Sequence, residues 1–580
     1  MQGFVAISRA PGRCEDQILP AIERAKSMGL SVRYQADRLA VLASKEIAVQ
    51  SLNGACGAII GDVFSRGMPV SAVAGSSRAP NEISRAVVDG RVQDNFWGDF
   101  VAIHYSTSGS LRFLHSPCGS INLYYIVWED SLLIASDSSM LLALAGRRRS
   151  LNWAAVAHNL VWDDISPLET CLDGVHEIRC GEEGNWQGGN VSVETVWSPW
   201  RYTEANISIS TSEEAVEIVR HELLRSVGSR RPFASEVAID LSGGLDSSII
   251  AAACAASGIE TTCINLYDSG TEGDERQFAR SVAEHLKVRL VEASPSAEDV
   301  DLDICARAHL PRPYVRSFVQ AFDKCALRAA SSRSATAFMN GGGGDSVFCH
   351  LQSSGPVVDA LKSRTRVSGV IRIANDVSRA AQCSFWEVTK MAGRKLMRGS
   401  SADRATADTE FLRPECLAFA ETIPSSLPQP QSQPLPGKIE QVHGIYRALY
   451  NLNGFSRSDH MKGVFPLLSQ PLVEACLRIP TWLSVGKGRN RLIARLAIES
   501  QLPPMATWRT SKGGLGRLQR DLLRTRREQL RAKLLDGKLA SQGLIDRSAI
   551  ERELKDETTY RVENAYRLLR LCDVETWCST

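Results

Sequence analysis

The apolar residues of this chain follow two different patterns, and the change between them divides it. Up to about residue 200 the apolar runs are short and closely spaced. Phe96-Trp97-Gly98-Asp99-Phe100-Val101-Ala102-Ile103 is followed by Leu111-Arg112-Phe113-Leu114, Asn122-Leu123-Tyr124-Tyr125-Ile126-Val127-Trp128 and Leu132-Leu133-Ile134-Ala135-Ser136. Short runs between turn residues predict an antiparallel meander with few long helices. A boundary falls at Trp197-Ser198-Pro199-Trp200-Arg201-Tyr202 and the polar stretch to Ser212. Beyond it, Thr211-Ser212-Glu213-Glu214 caps a helix over 215–227. A strand-type run at 237–241, an Ala-rich helix over 249–256 and a second strand, Thr261-Thr262-Cys263-Ile264-Asn265-Leu266-Tyr267, come next. Strand, helix, strand at this spacing predicts a parallel sheet, whose ligands sit at the carboxyl ends of its strands. The reading is two domains: 1–200, α+β with antiparallel sheets, and 210–580, α/β with a parallel sheet and mostly helical additions.

Composition narrows the function classes. At 580 residues the chain can build large cores, and 67 Lys/Arg against 65 Asp/Glu exclude a nucleic-acid or membrane partner held by bulk charge. No apolar run reaches ~18 residues, so no spanning helix is expected. The first residues lack a basic segment ahead of an apolar core, so no secretory signal is expected. Fifteen cysteines without a Cys-x-x-Cys pair suit free thiols in a reducing cytoplasm, with no zinc site or disulfide framework.

Two glycine-rich loops carry the chemistry. Ser242-Gly243-Gly244-Leu245-Asp246-Ser247-Ser248 joins the first strand to its helix. Its glycines admit close backbone approach, and the helix N-terminus favours an anion. Ser242, Ser247 and Ser248 add hydroxyl donors. Asp246 beside an anion site needs an intervening cation, and magnesium is the natural choice. Ala337-Phe338-Met339-Asn340-Gly341-Gly342-Gly343-Gly344-Asp345 repeats the design, and Asp345 supplies a second carboxylate. The helical stretch 383–398, with Lys/Arg on one side, reads as a solvated face. Residues 424–437, rich in Pro, Gln and Ser, read as a linker or lid.

The first loop lacks the lysine of the Walker motif and resembles the pyrophosphate loop of ATP pyrophosphatases, most closely in the asparagine synthetase family. The resemblance implies ATP held by Ser242, Gly243, Gly244, Asp246, Ser247, Ser248, Gly341 and Gly342, with Leu241 and Ile264 against the adenine or ribose. It implies Mg2+ between Asp246 and Asp345. Asp274-Glu275-Arg276-Gln277-Phe278-Ala279 resembles a structural family motif. In Trp508-Arg509-Thr510-Ser511-Lys512-Gly513-Gly514, Lys512 would steady charge developing at the reacting centre and Arg509 would bind pyrophosphate. Arg491-Leu492-Ile493-Ala494-Arg495 fills the place of a Lys-x-x-Leu-Arg motif facing the phosphates. Gly342 stands where relatives place Glu, Asp or Tyr, which leaves the general base unassigned. The first 200 residues resemble an Ntn-type glutaminase domain without its machinery. Position 2 is Gln2, the next cysteine is Cys14, Ile60-Gly61-Asp62 replaces Asn-Gly-Glu, and Ser116-Pro117-Cys118 replaces an Arg-Asp pair. A scaffold domain is expected, with ammonia not drawn from glutamine.

Pro466-Leu467-Leu468-Ser469-Gln470-Pro471 resembles the macrolactam-forming cyclases of lasso-peptide biosynthesis more than true asparagine synthetases. That implies adenylation of an Asp or Glu side chain of a precursor peptide, closure onto its N-terminal amine, and release of AMP and pyrophosphate. The partners implied are a leader-binding protein and a leader protease. Rival readings are a β-lactam-type synthetase, an ammonia-dependent asparagine synthetase and a non-catalytic binder of precursor peptide.

Overall fold

The computed structural model describes residues 3–9, 19–54, 56–66, 79–163, 165–232, 234, 236–267, 274–314, 316–331, 335–398, 407–430, 433–510, 516–555 and 562–580. Two six-stranded antiparallel sheets lie face to face near the N-terminus. The period of two along each strand explains the stack. In the strand Phe4–Arg9, Phe4 and Ala6 join a core between the sheets, with Leu39, Val101 and Phe113. Val5 and Ile7 point the other way, into a core shared with the helices Leu19–Ser27, Ser138–Ala145 and Trp153–Val161. Both faces being covered, Leu39–Ala43 is apolar throughout.

The expected meander is two hairpins in two different sheets. Phe96–Tyr105 and Leu111–His115 pair in one sheet, and Tyr124–Trp128 and Ser131–Ala135 pair in the other. The chain crosses between them at 116–123, where Cys118 takes a left-handed φ of 60°. Asp99 pins this crossing by accepting from the backbone of Ser120 at 2.6 Å and Ile121 at 3.0 Å. Alternation within each strand is a local property, whereas the sheet a hairpin joins depends on such long-range bonds.

The tail packs inward. Helices Gly516–Thr525, Arg527–Asp536 and Val562–Ser579 bring Leu522, Leu530 and Trp577 into the core that holds Val5 and Leu133. The described parts of the 424–437 stretch, 424–430 and 433–437, are tied to their surroundings. The carbonyls of Pro424 and Pro428 accept from Leu168 N and Trp200 Nε1, and Pro436 and Gly437 open the helix Pro436–Tyr450.

The parallel sheet runs Arg289–Ala293, Glu260–Leu266, Glu236–Asp240, Ala337–Met339, Lys462–Val464. Glu236–Asp240 is central, and the chain leaves it first toward one edge and later toward the other. A crevice opens at the carboxyl ends where the direction reverses. The helix Ser212–Gly228 packs on this sheet's core, its N-cap Thr211 Oγ1 accepting from Glu214 N. No helix among the described residues is long and apolar enough to cross a membrane.

Glu474 joins the two regions. Its carboxylate accepts from Arg66 Nη1 at 2.6 Å, Arg66 Nη2 at 2.8 Å, Trp197 Nε1 at 2.9 Å and Gln470 Nε2 at 2.8 Å. Gln470 Nε2 also reaches Gln93 O. The Pro466-Leu467-Leu468-Ser469-Gln470-Pro471 segment is therefore buried at this seam, with Leu467 and Leu468 packed behind the second glycine loop and none of it lining the crevice. Asp62, in the strand Gly57–Ser65, is ion-paired to Lys462 across the same seam.

Candidate active site

Strand register brings the two glycine loops together. Val237 pairs with Ala337 and Ile239 with Met339, so the segments after Asp240 and Met339 emerge side by side. A Cβ on Gly344 would stand 2.5 Å from Asp246 Cγ and 2.8 Å from Leu467 Cδ1, so only glycine lets the second loop approach Asp246. Gly243 has φ +70° and packs on Phe278 and Ala279 of the helix Arg276–Leu286, where a side chain would be strained and crowded. Asp246 lies in the first turn of the helix Leu245–Ala256 and Asp345 in that of Gly344–Val347.

A cavity of about 1270 Å³ opens over these loops. Its lining includes Ser242, Gly244, Asp246, Ser247, Ile264, Gly341, Gly342, Asp345 and Arg509 from the sequence reading. Leu241, Gly243 and Ser248 are not among the lining residues. Leu241 is fully buried in the sheet core while its carbonyl accepts from Asn265 Nδ2, and Ser248 is buried one turn into the helix. An alternating strand end can direct only one of Leu241 and Ser242 into the crevice. Lys512 lies outside the described residues, as does Cys14.

Arg509 is fixed on the rim. It pairs with Glu275, donates to the Ser242 carbonyl at 3.4 Å and lies 3.9 Å over the Phe278 ring. Glu275, read from sequence as structural, thus ties the Arg509 loop to the first glycine loop. Ser242 Oγ accepts from Gly244 N at 3.2 Å and lies 3.2 Å from Ser247 Oγ. The backbone N–H groups of Leu245, Asp246 and Ser247 open a helix, where no intrahelical acceptor precedes them. Together these give an anion site at a helix N-terminus.

The cavity is lined with more arginines than the motifs indicate: Arg379, Arg447, Arg457, Arg489, Arg491, Arg495 and Arg509. Arg457 donates to Asp240 Oδ1 at 3.0 Å. Asp323 accepts from Arg457 N at 3.1 Å and Ser456 Oγ at 2.6 Å. Burial opposes the charge of Arg457, but Asp240 and Asp323 outweigh it and hold its pKa above the ordinary value. Asn340 Nδ2 completes the link, donating to Asp240 at 3.2 Å while its Oδ1 accepts from Gly342 N at 2.6 Å. Burial, with Arg491 and Arg489 nearby, lowers Arg495 to about 10. Arg495 donates to Asn490 O and Thr507 O, so it braces the cavity wall. Arg457 carries no motif. Only its pairing partners reveal it, and those are far away in sequence.

Arg491 Nη1 contacts Asp246 Oδ1 at 3.0 Å and Oδ2 at 3.1 Å, and Asp345 Oδ1 at 2.5 Å. Two carboxylates that converge on one positive nitrogen are placed to share one small cation. Hard oxygen donors of this kind suit Mg2+. Among the described residues no group of three or more His, Cys, Asp or Glu is placed to hold a metal, so phosphate and water oxygens would complete the shell.

Residues 218–579 match the family model described as asparagine synthase. No curated protein matches the chain. Among solved structures, a glutamine phosphoribosylpyrophosphate amidotransferase from B. subtilis complexed with ADP and GMP shares 10% identity, with 50% of this chain and 65% of that chain covered and a TM-score of 0.19. The chain thus spans less than two thirds of that protein's length. A structure described as the allosteric regulatory enzyme of purine biosynthesis shares 10% identity, covering 75% of this chain and 93% of its own, at a TM-score of 0.18. Likeness at these TM-scores carries no argument.

Proposed function

The chain belongs to the asparagine synthase family and is an ATP-dependent ligase of asparagine synthetase type; on that premise we propose that it joins an Asp or Glu side chain of a peptide to that peptide's own N-terminal amine, closing a macrolactam. The observation that carries this reading is the size of the cavity. Sites for drug-sized ligands occupy ~300–1,000 Å³, and about 1270 Å³ over the two loops leaves room for a nucleotide and a second substrate larger than aspartate. The Pro466-Leu467-Leu468-Ser469-Gln470-Pro471 variant supports the same subtype by resemblance.

In this reading Ser242, Ser247 and the helix-opening amides of Leu245, Asp246 and Ser247 bind the phosphates of ATP. Asp246 and Asp345 would hold Mg2+, which when bound neutralises charge on those phosphates. Arg509, steadied by Glu275, would take the departing pyrophosphate. The substrate carboxylate attacks the α-phosphorus and displaces pyrophosphate. The amine then attacks the acyl carbon and displaces AMP, giving the amide. Lys512 is assigned the charge developing at that carbon. Gly342 itself has no side chain to take the amine's proton, which leaves with the departing AMP phosphate or to water. A protease would expose the amine and a leader-binding protein would deliver the peptide.

The test is incubation with ATP, Mg2+ and a peptide bearing a free N-terminus and an internal Asp or Glu. The expected products are AMP, pyrophosphate and a peptide lighter by one water. Formation of ADP, or efficient synthesis of asparagine from aspartate and ammonia without peptide closure, overturns the reading.

A further inference from the structure

The helices Gly355–Lys362, Val367–Ala380 and Phe385–Arg398 form a small three-helix unit with its own core of Val357, Ile373, Val377 and Val388. The turn between the second and third helices, Ala380 to Cys383, forms part of the cavity wall. The third helix therefore starts beside the cavity wall.

The surface of the three-helix unit is unusual in two independent ways. Of the fifteen large hydrophobic side chains exposed among the described residues, seven lie in 355–398. The three most exposed are Met397 at 81%, Trp386 at 78% and Val367 at 75%. A packed helix needs none of these outside, and such clustering marks an interaction surface. The segment also carries nine Lys/Arg against three Asp/Glu, although the whole chain is nearly balanced. One of those three, Asp359, is buried and bonded to Gly437 N and Thr481 Oγ1, so it does not offset the surface charge. On the third helix, Trp386, Lys390 and Met397 fall on one stripe at helical spacing, with Met391 and Arg394 on the next, where Glu387 is turned back to accept from Ser384 N and Oγ. A Cβ on Gly393, between them, would meet nothing within 4 Å, so the stripe is open. Lys395 is turned away to pair with Glu440.

We propose that this face of Phe385–Arg398 docks an acidic segment of the peptide substrate bearing apolar anchors, continuing outward from the part held in the cavity. The charge complements acidic residues, and the apolar stripe needs anchors spaced like its own. From Cys383 at the cavity wall to Met397 the helix rises roughly 20 Å, so the face guides a chain leaving the site. A membrane surface would use similar chemistry, but continuity with the cavity favours the peptide. The inference rests on the peptide-substrate reading above.

The test is fluorescence anisotropy without nucleotide. The probe is a labelled synthetic peptide of alternating Glu and Leu or Phe, against a matched peptide with Lys for Glu and against vesicles of phosphatidylserine and phosphatidylcholine. The Glu peptide should bind and the Lys peptide should not. Trp386→Ser/Met397→Ser and Lys390→Glu/Arg394→Glu should each weaken binding tenfold or more, with the ATP affinity of both unchanged. The side chains are exposed, so both variants should fold. If only the charge reversals matter, or if vesicles bind this face and the peptide does not, the proposal falls. The two readings fail separately. If ring closure proceeds undiminished in Trp386→Ser/Met397→Ser, the docking face is overturned and the macrolactam reading stands. If aspartate and ammonia are the substrates while the Glu peptide still binds this face, the macrolactam reading falls and the surface stands.

Discussion

Arg491 reaches Asp345 across 146 residues, with Nη1 2.5 Å from Oδ1, and the same nitrogen touches Asp246. Arg491 adopts a left-handed backbone, φ 52° and ψ 34°, which is strained for a non-glycine residue. Its Nε is buried with no hydrogen-bond partner among the described residues. A guanidinium between the two carboxylates competes with any metal placed there, and under the proposed function it would turn to phosphate once the nucleotide brings its own cation.

Arg491→Met should therefore separate two affinities. Mn2+ binding to the nucleotide-free protein, read by electron paramagnetic resonance, should tighten because the competing cation is gone. ATP binding, read by calorimetry, should weaken about tenfold, since a hydrogen bond to a charged group contributes roughly 1.5–3 kcal/mol. Equal Mn2+ affinity in the two proteins would contradict the competition.

Asp246→Asn and Asp345→Asn keep the shape and remove the charge. Each should lower AMP formation at least about a hundredfold, because charge stabilisation at a phosphoryl group is a matter of several kcal/mol. The thermal midpoint should hold or rise, as Arg491 keeps one carboxylate partner. Retained AMP formation in either variant would remove that carboxylate from the site.

Gly344→Ala should damage the site more than the fold. The new Cβ meets Asp246 Cγ at 2.5 Å and so pushes the two loops apart, an overpacking of about 1–3 kcal/mol. Gly342→Ala meets only Asn340 Oδ1 at 3.1 Å, then the Phe465 ring at 3.5 Å, and should keep most activity. Steady-state kinetics of the pair alongside urea unfolding checks the contrast.

Glu474→Ala should destabilise the chain by about 3–5 kcal/mol, because it strands Arg66 in the seam without its counter-charge. Glu474→Gln keeps part of the bonding and should cost less. The urea midpoint reports both, and a smaller loss for Ala than for Gln would refute the clamp.

Lys438 is buried, donating to Gln441 Oε1 at 2.8 Å and Ile479 O at 2.5 Å, and burial lowers its pKa to about 8. Its folded value lies below the unfolded one near 10.5. Between those values the unfolded chain holds a proton that the folded chain has lost, so this group's contribution improves as pH rises from about 8 to about 10 and is lost as pH falls through 8. Lys438→Met should remove that dependence, leaving a flatter urea midpoint between pH 7 and 10 than in the unsubstituted protein.

The sequence by itself determined the parts whose causes are local. Thr211 caps its helix because the acceptor and Glu214 N are three residues apart. The Ser242–Ser248 turn and the Gly341–Asp345 turn are legible because small residues between a strand run and a helix run leave few other conformations. Asp246 and Asp345 could be paired from sequence by chemistry, since each sits beside an anion site.

Only the tertiary structure decided which side chains face the crevice and what holds them there. Leu241 turned into the sheet while its neighbour Ser242 lined the cavity, because direction at a strand end depends on what packs on either side. Arg457, Arg491 and Glu474 took their roles from partners one to four hundred residues away. One apparent meander split between two sheets, and the C-terminal helices completed a core begun at Val5. Each outcome follows from sheet order and burial of charge, which act between residues distant in the chain and leave no periodicity in it.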